Sequence, residues 1–484
     1  MYRETSIKRS IQRFEQALKQ QELGEWISFT TEVTEIDPLA WIEYHNEESY
    51  LYYWDKPDSG FSLAACGVAC SLKATGEDRF QEISRQSRSL KKQHLALTDS
   101  SHSMAEPFLA GGYSFYDHNI EKSWSRFGAA HFFLPSTALL KSGRQTLLTL
   151  TLRAKGKTRQ EILDEIEERL EKYHRTRKRI RKSTLSTTGE TSDHSDRPPF
   201  ELQHREDERN RWGHKVEKCR NLIGNNVFDK IVIARAVELH ASQSVNTPCV
   251  MYHLRQTFPE CYNFLIRLDS SPDFIGATPE RLIALKKNRM NTEGLAGSIS
   301  RGKSAVEDVA LGNKLITNRK NRGEHQIVVK EICHKLRPYS ERIEHPKKPV
   351  LKRLHNVQHL FTPISAVLQD GVTIHELAGA LHPTPAVGGY PRNSSVPWIR
   401  TIEKLDRGWY AGPIGWFNPS GNGEFSVAIR SAHIDGYKAR LYAGCGIVED
   451  SEAETEWKES ELKFRPILEA LQKSVKERPS ALHE

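Results

Sequence analysis

The chain has 484 residues, with 70 basic and 62 acidic side chains, a difference of +8. Apolar residues make up 37% and aromatic residues 9%, enough for one large core or two to three ordinary domains and too much for a disordered chain. The mild positive charge suits an anionic small molecule as readily as a nucleic acid. Seven cysteines, at positions 66, 70, 219, 249, 261, 333 and 445, are scattered, with no CxxC pair and no Cys/His cluster of zinc spacing. The opening MYRETSIKRSIQRFEQALKQ lacks the apolar segment of a signal peptide. No run of about 18 apolar residues is present to span a membrane. A reduced, soluble, cytoplasmic protein is expected.

Residues 1–22 read as an amphipathic helix, with Ile7, Ile11, Phe14 and Leu18 on one side. From about 25 to 153 the pattern changes to short strands: WISFTTEV, WIEYHN, YLYYW, HFFLPSTALL and QTLLTLTLRA. A helix follows in TRQEILDEIEERLEKYHRTRKRIRK. Thr158 and Glu161 form its capping box, and Ile162, Leu163, Ile166 and Leu170 form its apolar stripe. Its basic end, 175–182, lacks the interleaved aromatics that stack on bases, so it reads as a solvated helix end and no nucleic-acid partner is expected. The polar stretch STLSTTGETSDHSDRPPFELQHRED reads as a flexible connector between two regions. These are an N-terminal α+β region over 1–205 and a second region over 206–484.

Beyond residue 208, FDKIVIARAVEL and YNFLIRLD are strand-like, and GEHQIVVKEICHKLRP is helical. The stretch from Gly408 to Val448 reads as three successive strands, with tight turns at NPSGNGE and Asp435-Gly436. Strands and helices do not alternate regularly. The expected fold is therefore α+β, with large antiparallel β-sheets packed with helices.

Several residues have both a structural and a chemical reading. Lys230, at the head of an apolar strand, either marks a strand end or acts as a base whose pKa is lowered by desolvation. Glu280 in GATPERL is either a turn carboxylate paired with Arg281 or a buried general acid. Gly294, Gly297 and Ser298 form either an ordinary loop or small residues that admit an anion to backbone amides. Glu324 is a helix-start carboxylate or a metal ligand. His359 alone reads as a packed histidine. Arg430 lies in an otherwise apolar strand, VAIRSA, which is costly unless the guanidinium meets an anion. Near the C-terminus Glu456, Glu459 and Lys463 stand at i, i+3 and i+7 on one helix face. They form either a solvated ion-pair face or a seat for a hard cation such as magnesium.

Taken in order, these motifs resemble the chorismate-binding enzyme family over roughly 208–472, with residues 1–205 similar only loosely. The family comprises isochorismate, salicylate, anthranilate and aminodeoxychorismate synthases. The resemblance implies magnesium-dependent chemistry on chorismate. Lys230 would be the base activating water towards C2, and Glu280 the acid protonating the departing C4 hydroxyl. Glu324 and Glu459 would be the magnesium ligands, with Glu456 behind them. Gly297, Ser298, His359, Ala386, Tyr410, Arg430, Gly446 and Lys463 would contact the substrate.

Lys230 favours water over ammonia as nucleophile, since the aminating relatives typically lack that lysine, so no glutaminase subunit is expected. HPTPAVGG resembles the isochorismate synthase form of its loop. Ala386 stands where salicylate synthases carry threonine, which favours stopping at isochorismate. The long N-terminal region points to the menaquinone-directed type. Salicylate synthesis and the catechol siderophore route are the alternatives.

Overall fold

The computed structural model describes residues 2–102, 104–118, 120–186, 200–202, 207–354 and 357–476. Its strands join one hydrogen-bonded network, antiparallel throughout except where Trp26–Val33 runs parallel to His94–Thr98. The α+β expectation with large antiparallel sheets holds.

Alternation explains why so many strands read as continuous apolar runs. Along Tyr262–Arg267, Phe264 and Ile266 enter one hydrophobic core while Leu265 enters another. Along Leu51–Lys56, Tyr52 and Trp54 face the first core and Leu51 and Tyr53 the second. With period-2 side chains buried on both faces, no polar face remains to betray the strand. The second core is sealed by helices: Phe14 and Leu18, Trp41 and Ile42, Ile162 and Ile166, and Phe464 and Leu471 all pack there. Each such side chain, fully buried, contributes on the order of 1.5–3 kcal/mol of transfer free energy.

The sheet divides at a proline. Strand Ala130–Ser142 pairs along its length with Phe61–Ala74. On its other edge, residues 130–133 pair with Leu109–Tyr113 and residues 137–142 with Gln145–Arg153. Pro135 sits between those two partners. It has no N–H to offer a ladder, so it falls where the edge changes hands. Strand Leu51–Lys56 pairs with Tyr262–Arg267, and Leu109–Tyr113 with Pro413–Phe417. Residues from both parts of the chain are thus direct sheet neighbours.

Three expectations are corrected. WIEYHN is not a strand, because helix Pro38–Tyr44 covers most of it. Asp37 caps that helix by accepting from Leu39 N, and Pro38 occupies its first turn. The Arg255 guanidinium then holds both Asp37 oxygens, at 2.9 and 2.6 Å. Gly408 to Val448 contains four strands rather than three: Pro413–Phe417, Gly423–Val427, Ser431–Asp435 and Lys438–Ile447. Both expected hairpins are present, with Gly421 at φ +87° and Gly436 at φ +57° making the turns. The polar connector is not all connector. The helix before it, Arg159–Ser186, continues into it, and Phe200–Leu202 pairs with Lys230–Ala241. Residues 187–199 and 203–206 lie outside the described residues.

The capping box forms as expected, with Thr158 N donating to Glu161 Oε2 at 2.7 Å and Glu161 N to Thr158 Oγ1 at 3.2 Å. The seven cysteines form no disulfide. No helix among the described residues is long and apolar enough to cross a membrane.

Candidate active site

Strand Lys438–Ile447 is the spine of the site. It pairs antiparallel with Lys230–Ala241, which places Gly446 opposite Val232 and Gly444 opposite Ala234. Gly444 and Gly446 are two apart and present the same face. A Cβ on Gly444 would stand 2.9 Å from the Tyr410 hydroxyl, and a Cβ on Gly446 would stand 2.8 Å from Lys230 Cε. The bare backbone is what admits both side chains. Tyr410 is held flat by stacking on Tyr442, with centroids 5.1 Å apart. Burial raises its hydroxyl well above the ordinary tyrosine range, so it acts as a neutral hydrogen-bonding group.

Helix Ala453–Lys476 follows that strand and returns its first turns over it. Lys463 Nζ donates to Glu459 Oε1 at 2.5 Å and to the Gly444 carbonyl at 2.8 Å, tying helix to spine. Partial burial disfavours the Glu459 anion, but Lys463, Arg430 and Lys230 outweigh it and hold the carboxyl below its usual range. Glu456 faces inward, 9% exposed, and accepts from Ser451 Oγ at 2.9 Å.

Glu324 belongs to helix Arg319–Leu336, capped by Asn318. It is the sixth residue of that helix, so it does not sit in the first turn and the dipole-compensating reading is corrected. Its charge acts on Lys230, as do those of Glu459 and Glu280. Burial lowers the proton affinity of Lys230, these three carboxylates oppose the shift, and Lys463 adds to it. The net result is a lysine more easily deprotonated than an ordinary one.

Glu280 occupies the turn between strands Asp273–Thr278 and Arg281–Lys286 and is 7% exposed. Burial, then the neighbouring charge of Glu293, pushes its carboxyl up from 4.5 to about 7, against the Thr384 hydroxyl, Lys352 and Arg430. The Thr384 hydroxyl lies 3.4 Å away and is the donor. Arg281 does not pair with Glu280. It pairs with Glu424 at 2.8 Å, which removes the structural reading of that carboxylate. Ala386 lines the same small cavity as Glu280 and Thr384.

Strand Arg289–Ser300 carries a bulge between Ala296 and Ser298 opposite strand Val357–Leu368. Gly297 supplies its φ of +76°, which a side chain would strain. Gly294, Gly297 and Ser298 are therefore strand residues and not a loop. Ser298 Oγ and His359 Nδ1 are 2.8 Å apart. Burial, with Arg430, Lys463 and Lys352 nearby, lowers His359 to about 3, so its ring is neutral. Its Nε2 is buried and meets no partner among the described residues.

Arg430 is not inside a strand. It forms the link between Gly423–Val427 and Ser431–Asp435, at φ +52°, a conformation unusual for arginine. Its guanidinium makes no hydrogen bond among the described residues, and it acts electrostatically on Glu459 and Tyr410.

The structure thus gathers Lys230, Glu324, Glu459, Lys463, Arg430 and Tyr410 around the spine, with Glu280, Ala386 and His359 adjoining. Four features escaped the sequence: Glu293 as a neighbour of Glu280, Lys352, Thr384, and the buried pair Arg407–Glu403. Arg407 donates to the Val387 carbonyl at 2.8 Å and to the Val232 carbonyl at 2.9 Å, fastening the HPTPAVGG loop to the lysine strand. Thr384 lies within HPTPAVGG, Glu293 stands in a motif that is often acidic in the family, and Arg407 is an arginine in an aromatic and glycine-rich stretch, but none of these signals pointed to its contact, and Lys352 carried none.

Glu456, Glu459 and the Cys445 thiol have ligand atoms within 4.8 Å of one another. Burial pushes the Cys445 thiol up to about 12, and it is engaged as a donor to the Glu456 carbonyl at 3.3 Å. What remains is carboxylate oxygen, the donor chemistry of a hard cation such as magnesium.

The chorismate binding enzyme family matches residues 11–472, so the likeness starts far upstream of residue 208, where the sequence motifs begin. Isochorismate synthase MenF of Bacillus subtilis is 32% identical over 454 residues, covering 92% of this chain and 93% of the relative. The salicylate biosynthesis isochorismate synthase of Pseudomonas aeruginosa is 36% identical over 457 residues, covering 92% and 90%. The structure of MenF, the menaquinone-specific isochorismate synthase from Escherichia coli, superimposes with a TM-score of 0.75 at 24% identity, covering 96% of this chain and 100% of that one. A match along nearly the whole chain, and relatives above 30% identity over nine-tenths of it, show that this chain belongs to the chorismate-binding enzyme family.

Proposed function

We propose that the protein is an isochorismate synthase, converting chorismate reversibly to isochorismate. The observation that carries this reading is the opposed tuning of Lys230 and Glu280. One is made easier to deprotonate, the other is kept protonated to about 7, and both act on one site. Neutral Lys230 takes a proton from the water that adds at C2. As the ring double bonds shift, protonated Glu280 gives its proton to the departing C4 hydroxyl. One water enters and one leaves, so the product is an isomer. Arg430, Lys463 and the Tyr410 hydroxyl supply cationic and hydrogen-bonding groups for the two carboxylates of the substrate.

The carboxylate oxygens that the structure brings together, those of Glu456 and Glu459, suit magnesium. The family resemblance would make Glu459 and Glu324 its ligands with Glu456 in support, and Glu324 is tied to this site through its charge on Lys230. When bound, the ion would offset the charge of a substrate carboxylate beside two glutamates. Ser298 from the bulged strand and neutral His359 from the strand opposite it orient the substrate.

We assign the product to the menaquinone route on the strength of the MenF relatives. The Pseudomonas aeruginosa relative is of similar length and is named for salicylate biosynthesis, so chain length alone does not separate the routes. Incubation with chorismate and magnesium, followed by product identification, tests the activity. Isochorismate is expected, and salicylate or anthranilate as main product overturns the assignment. Loss of menaquinone on deleting the gene tests the route.

A further inference from the structure

Glu280 is the acid of the proposed reaction, yet the sequence around it explains neither its position nor its charge. It follows Pro279 in a turn, and its own side chain has one hydrogen bond among the described residues, the 3.4 Å contact from Thr384. The peptide on either side of it, however, is held from another part of the fold. Lys352 Nζ, on strand Val350–Arg353, donates to the Pro279 carbonyl at 3.0 Å and to Glu293 Oε1 at 2.8 Å. The same Glu293 Oε1, on strand Arg289–Ser300, accepts the Arg281 amide at 3.0 Å. One ion pair therefore grips the carbonyl before Glu280 and the amide after it. The pair is well shielded, with the Glu293 side chain 7% exposed and that of Lys352 24% exposed.

We infer that Glu293 and Lys352 are positioning residues for the reaction, clamping the Glu280 peptide and setting the charge that its carboxyl meets. The inference rests on the reading of Glu280 as the acid. Both members are needed for both tasks. Glu293 alone would leave an anion beside an acid that must shed its proton in the reaction, and Lys352 alone would draw that proton off too early. A salt bridge supplies two directed backbone contacts at nearly no net charge. Arg430 and Lys230 also act on Glu280 by charge, and the clamp variants leave both in place.

The test is the pH profile of kcat and of KM for chorismate in Glu293→Gln, Lys352→Met and the double variant, with thermal melts of each. Glutamine keeps the shape and can still accept the Arg281 amide, so Glu293→Gln guards against simple unfolding. Removing the Glu293 charge favours ionised Glu280 and moves the break nearest pH 7 downwards. Removing Lys352 moves it upwards. Each shift is expected at about half a pH unit or more. The double variant, neutral at both positions, returns the break towards wild type. It leaves kcat reduced, because the Pro279 contact is still missing, and KM changes little in all three.

A uniform loss of rate with the break unmoved, shifts of the same sign in both single variants, or wild-type behaviour throughout would overturn the inference. Failure of the underlying reading is distinguishable. In that case Glu280→Gln itself retains turnover, and the clamp loses its object whatever the single variants do.

Discussion

The Lys230 side chain lies directly over the α-carbon of Gly446: a Cβ there would meet Lys230 Cε at 2.8 Å and Nζ at 3.3 Å. The lysine reaches the site because its diagonal neighbour on the next strand has no side chain. Gly446→Ala should therefore push the amine aside without disturbing the sheet, since the strand's backbone there does not need a positive φ. We expect kcat to fall about 10- to 100-fold, as a misplacement of the order of an ångström does, with little change in Tm. A variant at near wild-type kcat would mean that Lys230 works from another rotamer.

Glu280→Gln should remove the acid and abolish most turnover, by about 10²- to 10⁴-fold, while chorismate still binds. It should also stabilise the fold at alkaline pH. The folded-state value of about 7 lies above the ordinary 4.5, so the native protein holds this proton longer than the unfolded chain does. The favourable contribution is complete below about 4.5 and is lost as pH rises to about 7. Above that range the buried anion costs at most about 3 kcal/mol. Melts at pH 5 and pH 8 should show the glutamine variant gaining on wild type only at the higher pH. An equal gap at both values would show that Glu280 is not held neutral.

Glu459→Gln tests the carboxylate face. Its side chain is 46% exposed, so the substitution spares the core. Turnover should collapse at ordinary magnesium, and a magnesium titration should show a raised requirement. In wild type, excess EDTA should abolish activity. Normal turnover of the variant at ordinary magnesium would reduce Glu459 to a helix-face ion pair with Lys463, worth a few tenths of a kcal/mol.

Ala386→Thr tests where the reaction stops. Ala386 shares a small cavity with Glu280 and Thr384, so a hydroxyl and a methyl added there crowd the proposed acid. A difference of about 1.4 kcal/mol between two barriers moves a product ratio tenfold. Pyruvate release, read by coupled lactate dehydrogenase, should rise above the wild-type trace at a lower overall rate. An active variant releasing no more pyruvate than wild type would remove Ala386 as the discriminating position.

Local signals were legible wherever a local cause was sufficient. The capping box at Thr158, the stripe of Ile162, Ile166 and Leu170, and the Asp435-Gly436 hairpin follow from residues within a few positions of one another. The misreading of WIEYHN has the same origin: Asp37-Pro38 is a helix-start signal, and apolar residues on both sides of it hid the period. Arg430 was misplaced because a left-handed link between two strands leaves no mark in composition when the residue is not glycine.

The order of motifs along the chain, from Lys230 through Glu280, Glu324 and HPTPAVGG to Glu459, was by itself sufficient to indicate the family and the chemistry expected of it. Those motifs are runs of neighbouring residues, and a linear sequence displays them intact. What only the tertiary structure decided is how they meet. Lys230 leans over Gly446 because two strands more than two hundred positions apart are paired, and Lys352 and Glu293 grip the peptide around Glu280 from two other strands. Cross-strand register and burial arise from the packing of the whole sheet, so the proton affinities they set belong to the fold and to no single stretch of sequence.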